Sequence, residues 1–319
     1  MSLTTCSLTP LCCQKEKYST IPPGKTLKTE KKKLRFIINP NSGTTNKKRI
    51  EAHIRERIDT QAYDFNICYT KAPLHACELT KEAVKEGCDV VIAVGGDGTV
   101  HEVGCSLINT KTALGIIPCG SGNGLARHLN IPTSVKRAID IINRGKTKKI
   151  DTVKINDRSY LGMAGVGFDG HIAWEFSKTK TRGFWPYIKL VIKELPKYKA
   201  QNYTLTLDGK KVSRTATLIS FANSAQYGNE IAISPQAKID DGMIDVAILE
   251  DLPLWALAPL AVQLCTKTMH YSPHLEIIRA KSVKIEGKDM RGHVDGEPAK
   301  FDNGLELTVN PKSLYVAVP

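Results

Sequence analysis

The fold is decided by the stretch "VVIAVGGDGTVHEV", residues 90–103. Its apolar, largely β-branched start predicts a buried strand, and "GGDGT" (95–99) predicts a glycine turn that leads into a helix. Such turns commonly bind phosphate, because the free amides and the dipole at a helix N-terminus favour an anion. A carboxylate at Asp97 is therefore unexpected, and its role is the main question that this stretch raises.

Asp97 has two interpretations. A carboxylate beside polyphosphate is repelled unless a divalent cation lies between them, and Mg²⁺ is usually held by one or two carboxylates together with water and phosphate oxygens. Asp97 would then face a metal ion, while Gly95, Gly96 and Gly98 would let phosphate approach the backbone. Alternatively, Asp97 is a turn or helix-capping residue.

Two further loops of small residues extend this pattern. From Lys33 onward, short apolar strands alternate with helical segments, which predicts a doubly wound parallel sheet. "NPNSG" (39–43) follows the first strand, "GGDGT" the third, and "PCGSGNG" (118–124) the fourth. Ligands bind outside the carboxyl ends of such strands, so the three loops together predict a nucleotide-phosphate site. "GGDGT" itself has neither the lysine of G-x-x-x-x-G-K-[ST] nor the spacing of G-x-G-x-x-G.

The sequence pattern changes near residue 148. Short strands separated by turn sequences such as "LDGK" and "FDNG" predict an antiparallel β-sandwich with helical insertions around 172–199 and 253–268. The fold class is therefore α/β plus all-β. The predicted parts are a flexible basic arm at 1–33, a nucleotide-binding α/β domain at 34–148 and a β-sandwich substrate domain at 149–309.

The net charge of +13 indicates an acidic partner, either an anionic membrane or a phosphate-rich ligand. Nucleic acid is disfavoured as a partner, because aromatic residues make up only 6% of the chain and do not alternate with basic ones. The nine cysteines, none of them in C-x-x-C spacing, indicate buried thiols in a reducing cytoplasm. Neither a membrane-spanning run nor a signal peptide is visible, so we predict a cytoplasmic protein.

Six motifs resemble those of the diacylglycerol-kinase catalytic-domain family, which includes bacterial lipid kinases and the sphingosine and ceramide kinases. They are "FIINPNSG", "VVIAVGGDGTVHEV", "LGIIPCGSGNGLARHLNIP", "MAGVGFDGHI", "AKIDDGMIDVAIL" and "HVDGEPAK". The resemblance implies an ATP- and Mg²⁺-dependent kinase that phosphorylates a lipid hydroxyl, of diacylglycerol, phosphatidylglycerol or a sphingoid base. It also implies a first domain like that of NAD kinases and phosphofructokinases, which residues 310–319 rejoin.

Site residues follow from the motifs that match the family. The residues implied to contact the nucleotide are Asn39, Pro40, Asn41, Ser42, Gly43, Thr70, Gly95, Gly96, Asp97, Gly98, Thr99, Val100, His101, Glu102, Gly120, Ser121, Gly122 and Asn123. Asp97 is implied to act in catalysis through a water–magnesium network. Asp241, with the carbonyls of Lys238 and Met243, resembles the family's structural metal site. Gly124 is a departure, because many bacterial members have aspartate there; this chain lacks that carboxylate and is closer to the sphingosine and ceramide kinases.

The motif "HVDGEP" offers a general base. Phosphoryl transfer to a lipid needs a group that accepts the hydroxyl proton as the oxygen attacks the γ-phosphate. Asp295 and Glu297 stand on either side of a glycine after a strand, so one turn can project both carboxylates into the cleft. We favour Asp295, with Glu297 as its partner or alternative. The competing interpretation is that "DGE" is a hairpin turn.

Residues 172–199 combine aromatic and basic side chains, which suits a helix lying on an anionic lipid surface. These side chains are Trp174, Phe176, Phe184, Trp185, Tyr187, Lys178, Lys180, Arg182, Lys189 and Lys193. The alternative is a core-packing helix with a solvated basic face. "LPLWALAPLAVQLC" (252–265) is a weaker candidate, better explained as a buried helix.

Two other classes of function share some of these features. An NAD kinase shares the glycine–aspartate loop, but "NPNSG", "GSGN" and "DGEP" favour the lipid family. A catalytically inactive nucleotide- or lipid-binding protein is the third class. The expected partner is a lipid at an anionic membrane surface, with the enzyme peripheral to that membrane, and the resemblance also implies a possible homodimer.

Overall fold

The computed structural model describes residues 30–43, 46–179, 183–228, 231–287 and 290–319. Most of the predicted basic arm lies outside the described residues. The strands are β1 (Lys32–Ile38), β2 (Tyr63–Tyr69), β3 (Val90–Gly95), β4 (Ala113–Pro118), β5 (Thr147–Ile155), β6 (Arg158–Tyr160), β7 (Met163–Gly167), β8 (Gln201–Leu207), β9 (Lys210–Ala216), β10 (Leu218–Ala222), β11 (Gln226–Gly228), β12 (Ile231–Ala232), β13 (Ile244–Leu249), β14 (Leu275–Ala280), β15 (Ser282–Glu286), β16 (Met290–Val294), β17 (Glu297–Phe301) and β18 (Leu305–Ala317). The α-helices are α1 (Lys47–Arg57), α2 (His75–Lys85), α3 (Asp97–Leu107), α4 (Gly124–His128), α5 (Val135–Arg144), α6 (Phe168–Ser177), α7 (Phe184–Glu194) and α8 (Leu257–Thr266).

Four parallel strands form one end of a ten-stranded sheet, in the order β2-β1-β3-β4. The chain runs outward from β1 to β2 through α1, then back past β1 to β3 and β4 through α2 and α3. Because such crossovers are right-handed, this reversal places α1 on one face of the sheet and α2 and α3 on the other. The packing agrees, since α1 contacts α5 while α2 contacts α3. The strand order therefore reverses between β1 and β3, which is where open α/β sheets bind ligands.

The second half of the chain forms an antiparallel sandwich. One layer is the sheet β14-β13-β10-β7-β16-β17, and the other is the part of the first sheet that contains β5, β8, β15 and β18. Alternate side chains of both layers fill the core between them, including the fully buried Tyr160 and Phe221. The predicted parallel sheet and antiparallel sandwich are both confirmed.

A layer of helices covers the outer face of the antiparallel sheet. Phe168 and Ile172 of α6 and Leu260 of α8 are buried against strand residues such as Leu218. The prediction that residues 252–265 form a buried helix is wrong for one face of α8. Val262 of α8 is 61% exposed, so that helix is amphipathic rather than buried all round.

Strand β18 runs through both halves of the molecule. Its first residues pair with β15, its length pairs with β5, and Val316 pairs in parallel with Leu114 of β4. Between these pairings its register shifts, and the amide of Lys312 donates a 2.6 Å hydrogen bond to the buried Asp151 carboxylate. The segment 310–319 therefore reaches the nucleotide-binding strands, while β5 spans the proposed boundary at residue 148, which stays a prediction.

Candidate active site

Three loops meet at the carboxyl edge of the parallel strands with almost no space between them. A Cβ atom added at Gly43, where φ is +64°, would lie 1.7 Å from the carbonyl oxygen of Cys119. A Cβ atom added at Gly120 would lie 2.7 Å from the Cα atom of Gly96. Only glycine allows this approach, so the small residues of these loops serve first to close the edge of the sheet.

Polar side chains join the same loops. The Asn39 side chain donates from Nδ2 to the Thr99 hydroxyl at 3.2 Å and accepts the Asn41 amide at 2.9 Å. Asn123 closes its own loop, because its side chain accepts the Gly120 amide and donates to the Gly120 carbonyl. The exposed positions of the loops, where a ligand can make contact, include Pro40, Asn41 and Ser121.

Asp97 begins α3 and connects two of these loops. Its Oδ2 accepts the Asn123 amide at 2.8 Å, and its Oδ1 accepts the Gly124 amide at 2.7 Å. Burial raises the pKa of Asp97, and these two amide hydrogen bonds oppose that shift. The carboxylate therefore caps the start of α4, and Gly124, the position of the family aspartate, supplies one of the capped amides. The amides of Asn123, Gly124 and Asp97 itself act on this carboxylate, which leaves one of its about four lone-pair sites for a water-mediated magnesium contact.

Glu102 has a comparable role on the other side of α3. Its carboxylate accepts the amides of Leu74 and Ala76 at 3.1 and 3.2 Å, at the N-terminus of α2. A negative charge there compensates unpaired amides and the helix dipole. Thr70, buried at the end of β2, and Val100, buried in α3, complete the wall behind the loops. The assignment of Glu102 to the nucleotide stays a prediction, but its carboxylate is already used by the helix.

The "HVDGEP" motif forms a tight hairpin between β16 and β17. Val294 pairs with Glu297, and the two residues between them, Asp295 and Gly296, have φ values of +46° and +85°. Positive φ at both central positions is the type I′ geometry that Asp-Gly favours. The hairpin interpretation of "DGE" is therefore right, and it does not exclude a role in catalysis.

The Asp295 carboxylate is enclosed by donors. Oδ1 accepts the amides of Gly162 and Met163 at 2.9 and 3.0 Å, and Oδ2 accepts the amide of Leu161 at 3.0 Å. Oδ2 also lies 2.7 Å from Nδ1 of His101, a residue of α3. A carboxylate has about four lone-pair sites, and here all of them are occupied.

The His101–Asp295 contact shifts the pKa values of both residues. Burial alone would raise the pKa of Asp295, but the hydrogen bond and charge of His101, with the amide donors, hold it below the usual value. Burial alone would lower the pKa of His101, but its bonds to Asp295 and Cys105 and the Asp295 charge raise it to about 11. The pair is therefore an imidazolium and a carboxylate at neutral pH, as buried charges require.

Glu297 is placed differently from Asp295. It is exposed, and a Cβ atom added at Gly98 would lie 3.7 Å from its Oε1. The Glu297 carboxylate thus lies against the first turn of α3, between the glycine loops and the hairpin. Of the two carboxylates of the motif, it is the one that a ligand in the cleft can reach.

The predicted structural metal site is only partly formed. Asp241 accepts the Met243 amide at 3.1 Å through Oδ1, while its Oδ2 is bound by the Arg279 guanidinium. A cationic side chain therefore occupies the position that a metal ion would take. No cluster of three or more acidic, histidine or cysteine ligands occurs among the described residues. The assignment of Lys238, Asp241 and Met243 to a metal stays a prediction, and Arg279 speaks against it.

The sequence does not predict several side-chain contacts at this site. They include the His101–Asp295 pair and the capping of α2 by Glu102. The one sequence signal is helical spacing, because His101 lies three residues after Gly98 and therefore shares its face of α3.

The glycine loops of the open α/β sheet thus face an acidic hairpin that belongs to the antiparallel sandwich. Residues 33–155 match the family model "Diacylglycerol kinase catalytic domain", and residues 162–318 match "YegS C-terminal NAD kinase beta sandwich-like domain". A diacylglycerol kinase of Staphylococcus aureus is 30% identical over 285 residues, covering 86% of this chain and 90% of that protein. One of Staphylococcus epidermidis is 30% identical over 300 residues, covering 89% and 94%.

A crystal structure of a diacylglycerol kinase from Bacillus anthracis has the same fold. Its TM-score is 0.70 at 21% identity, covering 91% of this chain and 98% of that one. The chain belongs to the diacylglycerol kinase family and is a lipid kinase, which confirms the predicted family and favours it over NAD kinase. Among the described residues, none of the helices has the length and apolar character to cross a membrane.

Proposed function

We propose that this lipid kinase transfers the γ-phosphate of Mg²⁺-ATP to a lipid hydroxyl, with Glu297 as the general base. The observation that carries the proposal is the position of the Glu297 carboxylate, exposed and directly over Gly98 of the glycine loop. A hydroxyl held between that carboxylate and a phosphate on the loops would lose its proton to Glu297 as it attacks.

The glycine loops form the nucleotide wall of this proposed site. Exposed loop residues and the start of α3 offer amides to phosphate, and Asp97 fits a magnesium ion through water. When bound, the ion neutralises the charge of the phosphates. The amides and carboxylates described above hold the loops in place without it.

Asp295 is a weaker candidate for the base than the sequence indicated. Its four hydrogen bonds leave no lone pair for a substrate hydroxyl. Its pKa is also held below the usual value, which makes it a poorer proton acceptor. We assign it instead to fixing the hairpin that carries Glu297.

The Glu297→Gln variant tests the assignment of the base. We expect kcat to fall by about 10²-fold or more, which is the usual contribution of general acid–base catalysis. ATP affinity by calorimetry and thermal stability should stay unchanged, because the Glu297 side chain is exposed. Glu306→Gln, the same substitution at an exposed position of β18, is the matched control and should keep full activity. A Glu297→Gln enzyme with wild-type kcat would exclude Glu297 as the base.

The acceptor is proposed to be a diacylglycerol. This rests on the two staphylococcal relatives, which are named diacylglycerol kinases. Labelled ATP should be tested with diacylglycerol, phosphatidylglycerol and sphingosine in parallel. Preferential labelling of either of the other two lipids would overturn the choice of acceptor while leaving the mechanism intact.

One face of α7 is proposed to dock on an anionic membrane from the cytoplasmic side. Trp185 is 71% and Ile192 is 68% exposed, and Lys189 and Lys193 are exposed at the helical spacing that places all four on one side. Exposed apolar and basic groups on one helix face suit an interface of anionic lipid. Trp255, before α8 on the same sheet face, is 72% exposed and extends the candidate surface.

Other residues of the predicted docking segment have different roles. Trp174 donates from its indole nitrogen to the Ala299 carbonyl at 3.3 Å, and Phe176 packs edge-on against Tyr187. Those aromatic side chains contact the protein itself, as the core-packing interpretation predicted. Lys180 and Arg182 lie outside the described residues.

The Trp185→Ala/Lys189→Ala variant tests the docking surface. Each lysine near an anionic surface contributes about 1 kcal/mol, so with the lost indole we expect affinity for phosphatidylglycerol-containing vesicles to fall roughly tenfold. Activity on dispersed short-chain lipid should be retained. Lys210→Ala, which removes one exposed lysine elsewhere, is the control for net charge. Equal vesicle affinity of both variants and wild type would remove α7 from the proposal.

A further inference from the structure

A buried histidine–aspartate pair lies behind the hairpin that carries Glu297. His293, in β16, is 4% exposed, and Asp169, in the first turn of α6, is 6% exposed. His293 Nε2 lies 3.1 Å from Asp169 Oδ2. On the other side of the ring, His293 Nδ1 accepts the amide of Gly296 at 3.3 Å.

The two contacts define the tautomer of the neutral imidazole. A ring nitrogen that accepts an N–H group carries no proton, so the proton of the neutral ring is on Nε2, beside the Asp169 carboxylate. An aspartate in that position fixes both the tautomer and the orientation of a histidine. The ring therefore presents its Nδ1 lone pair to Gly296.

Two glycines beside this pair leave the space that it occupies. Gly165 is the register partner of His293 in β7, and a Cβ atom there would lie 2.4 Å from Asp169 Oδ2 and 3.0 Å from His293 Nε2. A Cβ atom at Gly170 would lie 2.5 Å from the carbonyl oxygen of Arg291. These two glycines let the first turn of α6 lie directly on strands β7 and β16.

The hairpin tip is consequently held from two sides. On one side, the Asp295 amide donates to the Met163 carbonyl at 2.8 Å, and its carboxylate is held as described above. On the other side, the Gly296 amide is held by His293. Glu297 follows immediately, so its direction depends on both anchors.

We propose that Asp169 and His293 are positioning residues for phosphate transfer, in which Asp169 orients the His293 ring and the ring holds the Gly296 amide and thereby aims Glu297. The inference rests on the proposed role of Glu297 as the base. Neither residue is required to touch the nucleotide or the lipid. Their loss should therefore lower kcat more than it lowers affinity, since displacing a reacting group by about 1 Å costs up to 10²-fold in rate.

Two substitutions at His293 separate positioning from packing. In His293→Asn the amide oxygen takes the place of Nδ1 and can still accept the Gly296 amide. In His293→Gln the longer side chain puts its amide at the place of Nε2 and leaves Gly296 without an acceptor. We expect kcat to be at least about fivefold higher in His293→Asn than in His293→Gln. In both variants, KM for ATP should stay within about twofold of wild type.

Asp169→Asn keeps the shape of the side chain and removes its charge. This variant tests the same positioning role if a His293 variant does not fold. We expect kcat to fall by about tenfold with unchanged ATP affinity, and the ¹⁵N signals of the His293 ring to show loss of the single Nε2–H tautomer. His171→Asn is the control, because His171 lies in α6 like Asp169 and its Nε2 lies 3.5 Å from the Glu194 carboxylate of α7, but it is partly exposed. It should behave as wild type.

The outcomes are distinguishable from failure of the proposed base. If Glu297→Gln is inactive while Asp169→Asn and both His293 variants match wild-type kcat, the positioning role is overturned and the base stands. Equal losses of kcat in His293→Asn and His293→Gln, accompanied by equal losses of thermal stability, would also overturn it. If Glu297→Gln is fully active, the proposed base itself fails.

Discussion

The Asp295→Asn substitution gives the sharpest test of how the hairpin is held. In wild type each carboxylate oxygen accepts two hydrogen bonds, Oδ1 from Gly162 and Met163 and Oδ2 from Leu161 and His101. Asparagine replaces one oxygen with an NH₂ group, which is a donor only. In the better orientation the oxygen keeps Gly162 and Met163, and the NH₂ group then faces Leu161 and His101.

The expected loss of stability follows from those two contacts. Without a carboxylate the pKa of His101 falls, because burial alone lowers it, so the ring loses its proton and its Nδ1 can accept from the new NH₂ group. The Leu161 amide is a donor and cannot bond to the new NH₂ group, so it loses its acceptor. A buried unsatisfied donor costs about 1–3 kcal/mol. Together with the lost ion pair, we expect a decrease in the free energy of unfolding of roughly 2–4 kcal/mol.

Urea denaturation at pH 7 measures this change. The midpoints of the two proteins can be compared if the dependence of the unfolding free energy on urea concentration is the same in both. A double-mutant cycle with His101→Asn isolates the pair and should give a coupling free energy above about 1 kcal/mol. The displaced hairpin should also lower kcat. A decrease in stability below about 0.5 kcal/mol, the usual range of surface substitutions, would refute the assignment of Asp295 as an anchor.

Three further predictions concern the same structure. The His101–Asp295 pair predicts that stability depends on pH. Because the pKa of Asp295 is lowered, its contribution to stability is present above pH 3.8 and is lost in stronger acid. Because the pKa of His101 is raised, its contribution is full below pH 6.5 and declines towards a pH of about 11. Wild type should therefore lose more of its urea resistance than His101→Asn between pH 7 and 10; parallel curves would contradict this. Gly43→Ala should weaken ATP binding and lower the melting temperature more than Gly87→Ala, because both have positive φ but only Gly43 faces a backbone atom, and equal effects would show that the loop contact is unimportant. The Arg279 contact at Asp241 predicts that EDTA leaves the melting temperature of the nucleotide-free protein unchanged, and a clear decrease would restore the metal assignment there.

The architecture could be predicted from the sequence because local patterns encode it. The β-branched run 90–94 and the alternation of strands and helices after it fixed the parallel sheet, and turn sequences such as "LDGK" marked the sandwich. The glycine loops are predictable in the same way, since Gly43 and Gly120 have backbone contacts that no other residue permits. Their meeting at one edge follows from topology alone.

The roles of the acidic side chains could not be predicted in the same way. Asp97 binds amides 26 and 27 residues away, and His101 lies 194 residues from Asp295. Such contacts depend on how distant loops pack, so no local pattern reports them. The "HVDGEP" motif shows two carboxylates, and only the packing shows that the Asp295 carboxylate is already occupied by hydrogen bonds.

The path of β18 has a consequence during synthesis on the ribosome. Strand β4 lies beside β3 on one side and beside the end of β18 on the other, and β18 is translated after all the other described strands. Until then β4 is an unpaired sheet edge, which is prone to mispairing and aggregation. The sheet of the nucleotide-binding half therefore stays incomplete until the sandwich has been translated. A chain that stops a few residues before Val316 would lack the pairing of Val316 with Leu114 that covers this edge.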